Sequence, residues 1–167
     1  MKPSTPQNAR DQIGTPVVEI RPASAGDVPD IARLLWDDEY GRDRESTASQ
    51  DEASYLSAFH QIESDPNSEV FVATLDGAVV GCLQLTIIPG LSYRGIYRAL
   101  VEDVRVDRRC RSRGVGSLLL STAEARATER GCRMIELFVH ADRNDAHRFY
   151  ESAGYVGAHR GFRKKLL

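Results

Sequence analysis

Between residues 100 and 130 the sequence predicts a strand, an arginine- and glycine-rich loop and a helix in direct succession. The strand ends at Val106, the loop runs Arg111-Ser112-Arg113-Gly114-Val115-Gly116, and the helix begins at Ser117. A helix N-terminus presents unpaired N–H groups and a partial positive charge, and glycines let the backbone approach a ligand closely. Four arginines within 108–113 add charge at the same place. The junction therefore predicts an anion site that suits a diphosphate with a further phosphate nearby.

Other interpretations of this loop remain open from the residues alone. The two glycines are also consistent with a simple tight turn, and the arginines with a solvated patch. A nucleotide-binding P-loop is excluded, because no Gly-Lys-Ser/Thr follows at the required spacing. A dinucleotide-binding fingerprint fits poorly, because Leu119 stands where the third glycine belongs.

The rest of the chain alternates between the periodicities of strands and helices. Residues 1–16 are polar with three prolines, which predicts a disordered tail before a domain over 17–167. The predicted order is strand, two helices, three strands, helix, strand, helix and strand, over 17–20, 27–40, 49–65, 70–75, 78–88, 100–106, 117–130, 134–140, 145–152 and 155–167. This order indicates an α/β or α+β domain with a central mixed sheet.

Local signals mark several of the predicted boundaries. Asp27 is the predicted N-cap of the first helix, and Ser49 with Glu52 forms a capping-box pattern before the second. Asp76-Gly77 predicts a hairpin between two of the strands.

The composition restricts what this domain can do. A length of 167 residues suggests one domain, and a net charge of −2 with a pI near 6.1 gives no general attraction to nucleic acid or anionic membranes. Three cysteines without a CxxC pair argue against a disulfide framework or a zinc site. Because we find neither a long apolar run nor an export signal, we expect a cytoplasmic protein with reduced thiols.

Two motifs in order make the chain resemble the GNAT superfamily of N-acetyltransferases. Arg111-x-x-Gly114-x-Gly116 is similar to the superfamily's acetyl-coenzyme A motif, Gln/Arg-x-x-Gly-x-Gly/Ala. The segment Ala146-His147-Arg148-Phe149-Tyr150-Glu151-Ser152-Ala153-Gly154-Tyr155 resembles its second signature, Ala-x-x-Phe-Tyr-x-x-x-Gly-Phe/Tyr. The ending of the chain looks most similar to the aminoalkylphosphonate N-acetyltransferase branch and its relatives. The resemblance implies a single-domain acyl-CoA N-acyltransferase fold, whose mixed, mostly antiparallel sheet is flanked by helices.

The resemblance also implies a reaction, in which acetyl-CoA donates its acetyl group to a primary amine that attacks directly in a ternary complex. Glu102 then corresponds to the general base, acting through water, because a carboxylate is a poor direct acceptor for an ammonium proton. Asp103 is the second choice, since it faces the other way unless a bulge shifts the register. Tyr150 corresponds to the acid that assists the leaving sulfur, and the backbone N–H near Val104 to the oxyanion donor.

Cofactor binding is implied for the strand, the loop and three later positions. The pantetheine arm pairs with the strand backbone around Val104 and Val106 in the manner of an added strand. The residues implied are Val104, Arg105, Val106, Arg111, Ser112, Arg113, Gly114, Val115, Gly116, Ser117, Arg143, Phe149 and Tyr150. Arg143 departs from the superfamily pattern, which carries asparagine there, and this arginine could meet a phosphate or an anionic substrate.

The acceptor pocket is expected between the first two helices and the hairpin. Residues 36–40 form an acidic, aromatic stretch that could attract an amine, although a solvated helix end explains the same residues. His140, His147 and His159 match no metal-binding spacing, so we expect no metal. A small-molecule amine, no nucleic acid, no membrane and a possible homodimer are the expected partners. A catalytically silent acyl-CoA-binding or regulatory module, a protein N-acetyltransferase and nucleic-acid binding through the arginines are the alternatives.

Overall fold

A five-stranded sheet runs through the structure, and its strands lie side by side in chain order. The computed structural model describes residues 17–166, so the predicted tail over 1–16 lies outside the described residues. The strands are β1 (Val18–Pro22), β2 (Ser68–Leu75), β3 (Ala78–Pro89), β4 (Tyr97–Val106) and β5 (Cys132–Leu137). Neighbours are antiparallel from β1 to β4, and β4 pairs with β5 in parallel. The mixed, mostly antiparallel sheet is therefore confirmed.

The helices connect and cover these strands. They are α1 (Val28–Trp36), α2 (Glu52–Ser64), the single turn α3 (Ser92–Gly95), α4 (Val115–Glu129) and α5 (Asn144–Ser152). The parallel pair requires a crossover, and α4 supplies it between β4 and β5. The predicted helix at the loop junction is confirmed, but it begins at Val115, two residues before the predicted start.

Apolar side chains cover both faces of the sheet. Leu119 of α4 packs with Leu83, Leu85 and Val101 in the larger cluster on one face. Leu34 of α1 packs with Val72, Val79 and Cys82 on the other face. Because successive side chains of a strand point to opposite faces, α4 and α1 lie on opposite sides of the sheet.

The predicted hairpin is confirmed at Asp76-Gly77. Both residues have positive φ, at 50° and 80°, which is the backbone of a two-residue type I′ turn. Asp27 is the N-cap residue of α1, as predicted, but its carboxylate accepts from the N–H and hydroxyl of Ser24 and from Arg21 and makes no capping bond to the helix. The predicted capping box is wrong, because α2 follows a 3₁₀ turn, Ser49–Asp51, without a side-chain cap.

The predicted last strand is also wrong. Residues 155–166 contain no strand, and Leu167 lies outside the described residues. Val156, Phe162 and Leu166 remain exposed, so the apolar residues that suggested a strand gain no burial. A strand needs a partner for its backbone N–H and C=O groups, and the sheet stops at β5.

Candidate active site

A β-bulge in β4 shapes the centre of the site. Gln84 pairs with Glu102 and Cys82 with Arg105, so two β4 residues lie opposite Leu83 alone. The first of the two, Asp103, has a positive φ of 52°, a conformation that aspartate tolerates better than most residues. The bulge that the sequence left open as an alternative is therefore present.

The bulge decides which β4 side chains share a face. Directly paired residues of an antiparallel sheet point to the same side, so Glu102 and Arg105 lie on the face of Cys82, which carries α1. Val104 and Val106 pack against the cluster on the α4 face. In a regular strand Glu102 and Arg105 would point to opposite faces.

Beyond the bulge, β4 has an open edge. It pairs with β5 only over 97–101, and within residues 17–166 no strand pairs with 102–106 on that side. The Val104 carbonyl accepts from Arg105 Nη1 at 2.9 Å, and the Val106 carbonyl from Arg111 Nε at 3.3 Å. An unpaired strand edge can accept an extended ligand along its backbone.

The glycine-rich loop turns this edge into the start of α4. Gly114 has a φ of +81° at the N-cap, and Ser112 a φ of +58°. The first backbone bond of the helix runs from Leu118 N to the Gly114 carbonyl at 3.0 Å. The N–H groups of 115–117 precede that bond and have no acceptor inside the helix, which makes this corner suitable for an anion.

Only half of the arginine charge at this corner is free. Arg109 is paired with the buried Asp107, its Nη2 lying 2.8 Å from Oδ2. Arg108 donates to the Asp37 carbonyl and pairs with its carboxylate at 3.4 Å. Arg111 and Arg113 have no ion-pair partner among the described residues, so these two remain available to phosphates.

The second sequence motif packs directly on the first. A Cβ on Gly116 would lie 3.4 Å from Phe149 Cζ and 3.7 Å from Val106 Cγ2. A methyl group at position 116 would therefore be in van der Waals contact with the aromatic ring of Phe149 on α5. The structure thus brings Val106, Gly116 and Phe149 together, as a shared cofactor site requires.

Tyr150 follows Phe149 on α5 and lies between aromatic rings. The centroid distances are 5.0 Å to Phe149 and 5.9 Å to Tyr155. Burial raises the pKa of the Tyr150 hydroxyl, while the charges of Arg105 and Arg143 lower it. Its environment keeps this hydroxyl protonated, as a proton donor requires.

Glu102 lies on the sheet face opposite α4, and its side chain is exposed. Partial desolvation and the neighbouring Asp103 carboxylate raise the pKa of Glu102, and Arg163 opposes them. A raised pKa improves a carboxylate as a proton acceptor at neutral pH.

Sequence reasoning missed a buried charge cluster around Asp38. Arg143 donates to Asp38 Oδ1 from 105 residues away in the sequence, and Arg105 Nη2 lies 3.7 Å from Asp38 Oδ2. The acidic stretch that suggested an amine site is thus engaged with guanidinium groups, since Asp37 pairs with Arg108. Charge patterning alone gave no signal for partners so distant in the chain.

A cavity of about 290 Å³ lies beside α1. Its walls are formed by Val28, Ala32, Arg33 and Trp36 of α1, by residues 46–49, and by Tyr55 of α2. This space lies between the first two helices, and no residue of the β2–β3 hairpin lines it, so it matches the predicted acceptor pocket only in part.

Residues 17–166 hold neither a candidate metal site nor a helix that could cross a membrane. They contain no group of three or more His, Cys, Asp or Glu side chains placed to hold a metal ion. None of their helices combines the length and apolarity needed to cross a membrane.

Comparison with known proteins agrees with this architecture. The model of the Acetyltransferase (GNAT) family matches residues 28–155. The aminoalkylphosphonate N-acetyltransferase of Salmonella typhimurium is 30% identical over 152 residues, which cover 90% of this chain and 93% of that protein.

Solved structures show the same fold. A transcriptional regulator from Bacillus halodurans C-125 matches with a TM-score of 0.87 at 41% identity, covering 90% of this chain and 100% of its own. Glucosamine-6-phosphate N-acetyltransferase from Arabidopsis thaliana matches with a TM-score of 0.75 at 19% identity, covering 89% of this chain and 98% of its own. This second likeness concerns the fold alone.

The chain therefore belongs to the GNAT family of acetyltransferases. It is an acetyl-CoA-dependent acyltransferase, as members of this family are.

Proposed function

We propose that the protein transfers the acetyl group of acetyl-CoA to a primary amine of a small molecule by direct attack in a ternary complex. The open edge of β4 beside the exposed N-terminus of α4 carries this proposal. The name of the Salmonella relative, an aminoalkylphosphonate N-acetyltransferase, supports a small amine as acceptor.

The residues at this edge fit the cofactor. The N–H groups of 115–117 have no acceptor within the helix, and a Cβ on Gly114 would meet no atom within 4 Å, so the surface over the loop is open. Arg111 and Arg113 supply free positive charge, and Phe149 and Val106 close the corner. We assign binding to Val104–Val106, 111–117, Phe149, Tyr150 and Arg143, whose side chain is oriented by its contact with Asp38.

Acetyl-CoA, when bound, supplies an acetyl group activated as a thioester and a thiolate leaving group. Glu102 accepts the proton of the attacking ammonium through water, and its raised pKa suits that task. The Val104 N–H donates to the carbonyl oxygen that gains negative charge. Tyr150 donates its hydroxyl proton toward the sulfur.

Binding of coenzyme A, measured by calorimetry, tests the site, and release of coenzyme A tests the reaction. The acceptor panel includes polyamines, amino acids, aminophosphonates and aminoglycosides. We expect release to depend on one of these amines and Tyr150→Phe to lower kcat by about 10²-fold with coenzyme A affinity retained.

A regulatory module that binds acyl-CoA without turnover is the second candidate, because the Bacillus halodurans relative is described as a transcriptional regulator. It predicts normal coenzyme A binding without amine-dependent release. Acetylation of protein lysines but not of free amines would instead indicate a protein N-acetyltransferase. Failure to bind coenzyme A at all would contradict the proposed site.

A further inference from the structure

The strands β4 and β5 separate beside Glu102. Their last pair is Val101 with Leu137, and neighbouring strands of a sheet lie about 5 Å apart. Phe138 comes directly after Leu137, so in the same register it lies level with Glu102 at the point where the two strands diverge. The Phe138 side chain is 70% exposed, which leaves its ring accessible to the chain that follows α5.

The C-terminal segment, residues 156–166, crosses this point. A Cβ on Gly161 would lie 3.5 Å from Phe138 Cδ1 and 3.7 Å from Phe138 Cε1, so the backbone at Gly161 passes over the ring. Partial desolvation raises the pKa of Glu102, and the charge of Arg163, two residues after Gly161, opposes it. The C-terminal segment therefore runs from Phe138 towards the proposed general base.

Few interactions hold the C-terminal segment in place. Its residues make no backbone hydrogen bond with the described part of the chain, and all of them are exposed. A segment with few buried contacts and unbonded backbone groups opens at a low free-energy cost. The residues after Gly161 can therefore change position, while the contact with Phe138 keeps them close to the site.

The lysines of the chain are concentrated in the same segment. Of 22 lysines and arginines only three are lysines, and Lys164 and Lys165 are the only ones within residues 17–166. A lysine can present a neutral primary amine, whereas an arginine stays protonated in proteins. Lys164 and Lys165 are thus the side-chain amines that the described domain offers to an activated acetyl group.

We propose that the C-terminal segment is an internal acceptor, in which Lys164 or Lys165 takes the acetyl group from acetyl-CoA bound to the same molecule. Three residues of extended chain span at most about 11 Å, and lysine adds a flexible four-carbon stem. A turn after Gly161 therefore brings these amines back to Glu102. This inference rests on the proposed function, which binds acetyl-CoA along β4 and makes Glu102 the base.

The covalent connection determines how the rate depends on concentration. A short flexible linker gives the tethered group an effective concentration of about a millimolar. Acetylation within one molecule of the acetyl-CoA complex is therefore a first-order process, whose rate constant does not change with the protein concentration.

The transfer to lysine needs no further reactant. The lysine ammonium gives one proton through water to Glu102, and its nitrogen bonds to the thioester carbon. The carbon–sulfur bond breaks with its electron pair on sulfur, which takes the Tyr150 proton and leaves as the thiol of coenzyme A. The second proton lost by the nitrogen returns to Tyr150 through solvent. The lysine becomes a neutral amide, and the segment loses one positive charge.

Mass spectrometry after incubation of the full chain with acetyl-CoA tests this inference. Cleavage after Glu151 releases residues 152–167, which contain Lys164 and Lys165 and no other lysine. We expect this peptide to gain an acetyl group with a first-order rate constant that is the same at low and high protein concentration. A rate constant that rises in proportion to protein concentration would show transfer between molecules and overturn the inference.

Variants separate transfer in the site from direct chemical acetylation. Tyr150→Phe should slow acetylation of the 152–167 peptide by about 10²-fold. Lys2, which lies outside the described residues, is the internal control, and its uncatalysed acetylation should be the same in both proteins. The double variant Lys164→Arg, Lys165→Arg keeps both charges and should prevent acetylation of the peptide. Equal acetylation of this peptide in the native and Tyr150→Phe proteins would overturn the inference.

Phe138→Ala tests the contact that keeps the C-terminal segment near the site. Loss of the ring should slow acetylation of the 152–167 peptide by about tenfold, because the lysines are less well positioned. Val156→Ala is the matched control, since it removes an exposed apolar side chain from the same segment, and it should leave the rate unchanged. Calorimetry checks that both variants bind coenzyme A. An unchanged rate in Phe138→Ala that binds coenzyme A would overturn the inference.

The double lysine variant also separates this inference from the proposed function. It should bind coenzyme A and release it with a responsive free amine at the native rate. Release with a free amine, but no acetylation of the native C-terminal segment, would contradict the internal acceptor alone. Acetylation of that segment without release by any free amine would support the internal acceptor and contradict the small-molecule acceptor. If neither occurs in a protein that binds coenzyme A, both are wrong.

Discussion

Arg33 of α1 binds Asp107 at the end of β4, and the distance from its Nη1 to Asp107 Oδ2 is 3.3 Å. The same buried carboxylate accepts from the Arg109 backbone N–H at 3.0 Å and from its Nη2 at 2.8 Å. Arg33 also donates to the Val79 carbonyl of β3 at 3.1 Å. Asp107 therefore anchors the start of the glycine-rich loop to α1.

Replacing Asp107 by Asn should destabilise the fold in a pH-dependent way. The hydrogen bonds from Arg109 are the main cause that holds the pKa of Asp107 well below its usual range. A carboxyl whose folded pKa is depressed stabilises the fold above its unfolded pKa of about 3.9 and loses this effect as the pH falls. We expect Asp107→Asn to lower the free energy of unfolding by about 1.5–3 kcal/mol at pH 7. At pH 3 the difference in this free energy between the native and variant proteins should be smaller by roughly 1 kcal/mol.

Urea unfolding of both proteins at pH 7, 5 and 3 measures these differences. Asp43→Asn is the control, because Asp43 is exposed and makes no ion pair among the described residues. It should change the free energy of unfolding by less than about 0.5 kcal/mol at each pH. A difference between native and Asp107→Asn proteins that is constant with pH would mean that the Asp107 charge does not stabilise the fold.

Bulk at position 116 should interfere with coenzyme A binding. A methyl group there would be in van der Waals contact with Phe149 and Val106, so we expect the additional γ-methyls of valine to crowd these two side chains. We expect Gly116→Ala to bind coenzyme A nearly normally and Gly116→Val to bind at least tenfold more weakly by calorimetry. Thermal unfolding checks that both variants fold. Undiminished binding by folded Gly116→Val would show that the corner does not contact the cofactor.

The pH dependence of the reaction should report Glu102. Because the pKa of Glu102 is raised, the acid limb of the pH profile of kcat/KM should lie above the ordinary glutamate pKa of about 4.3. Glu102→Gln should lower kcat/KM and remove that limb. Asp103→Asn should move the limb to lower pH, because a neighbouring negative charge is lost, and Asn also tolerates the positive φ. If the native protein and Glu102→Gln show the same acid limb in their pH profiles, the general base is a group other than Glu102.

Local sequence signals predicted most of the fold. The hairpin at Asp76-Gly77 and the helix after Gly114 depend on nearby residues, so their patterns were informative. The last strand was wrong because a strand requires a partner edge, which an apolar segment such as 155–166 does not encode by itself. Asp27 takes its predicted N-cap position, but its carboxylate bonds to Ser24 and Arg21 instead of the helix. The capping box was wrong because Ser49 belongs to a 3₁₀ turn that precedes α2.

The candidate site also contains a part that the sequence predicted and a part that it did not. The sequence located Gly114, Gly116, Phe149 and Tyr150 through their motifs, and the structure brings Gly116 against Phe149. The cluster around Asp38 could not be predicted, because its partners come from β4 and the start of α5. Such contacts depend on tertiary geometry that no local spacing records.

Gly41 should be required for the turn that places Asp38. A Cβ at this position would lie 2.0 Å from the Leu35 carbonyl oxygen and 3.3 Å from Asp38 Cβ. The Gly41 N–H donates to the Asp38 carbonyl at 3.0 Å, so the turn cannot relax without moving Asp38. We expect Gly41→Ala to lower the free energy of unfolding by about 1–3 kcal/mol. Gly157→Ala is the control, because a Cβ there meets no atom within 4 Å. Equal stability of the two variants in urea would show that the turn at Gly41 has room for a side chain.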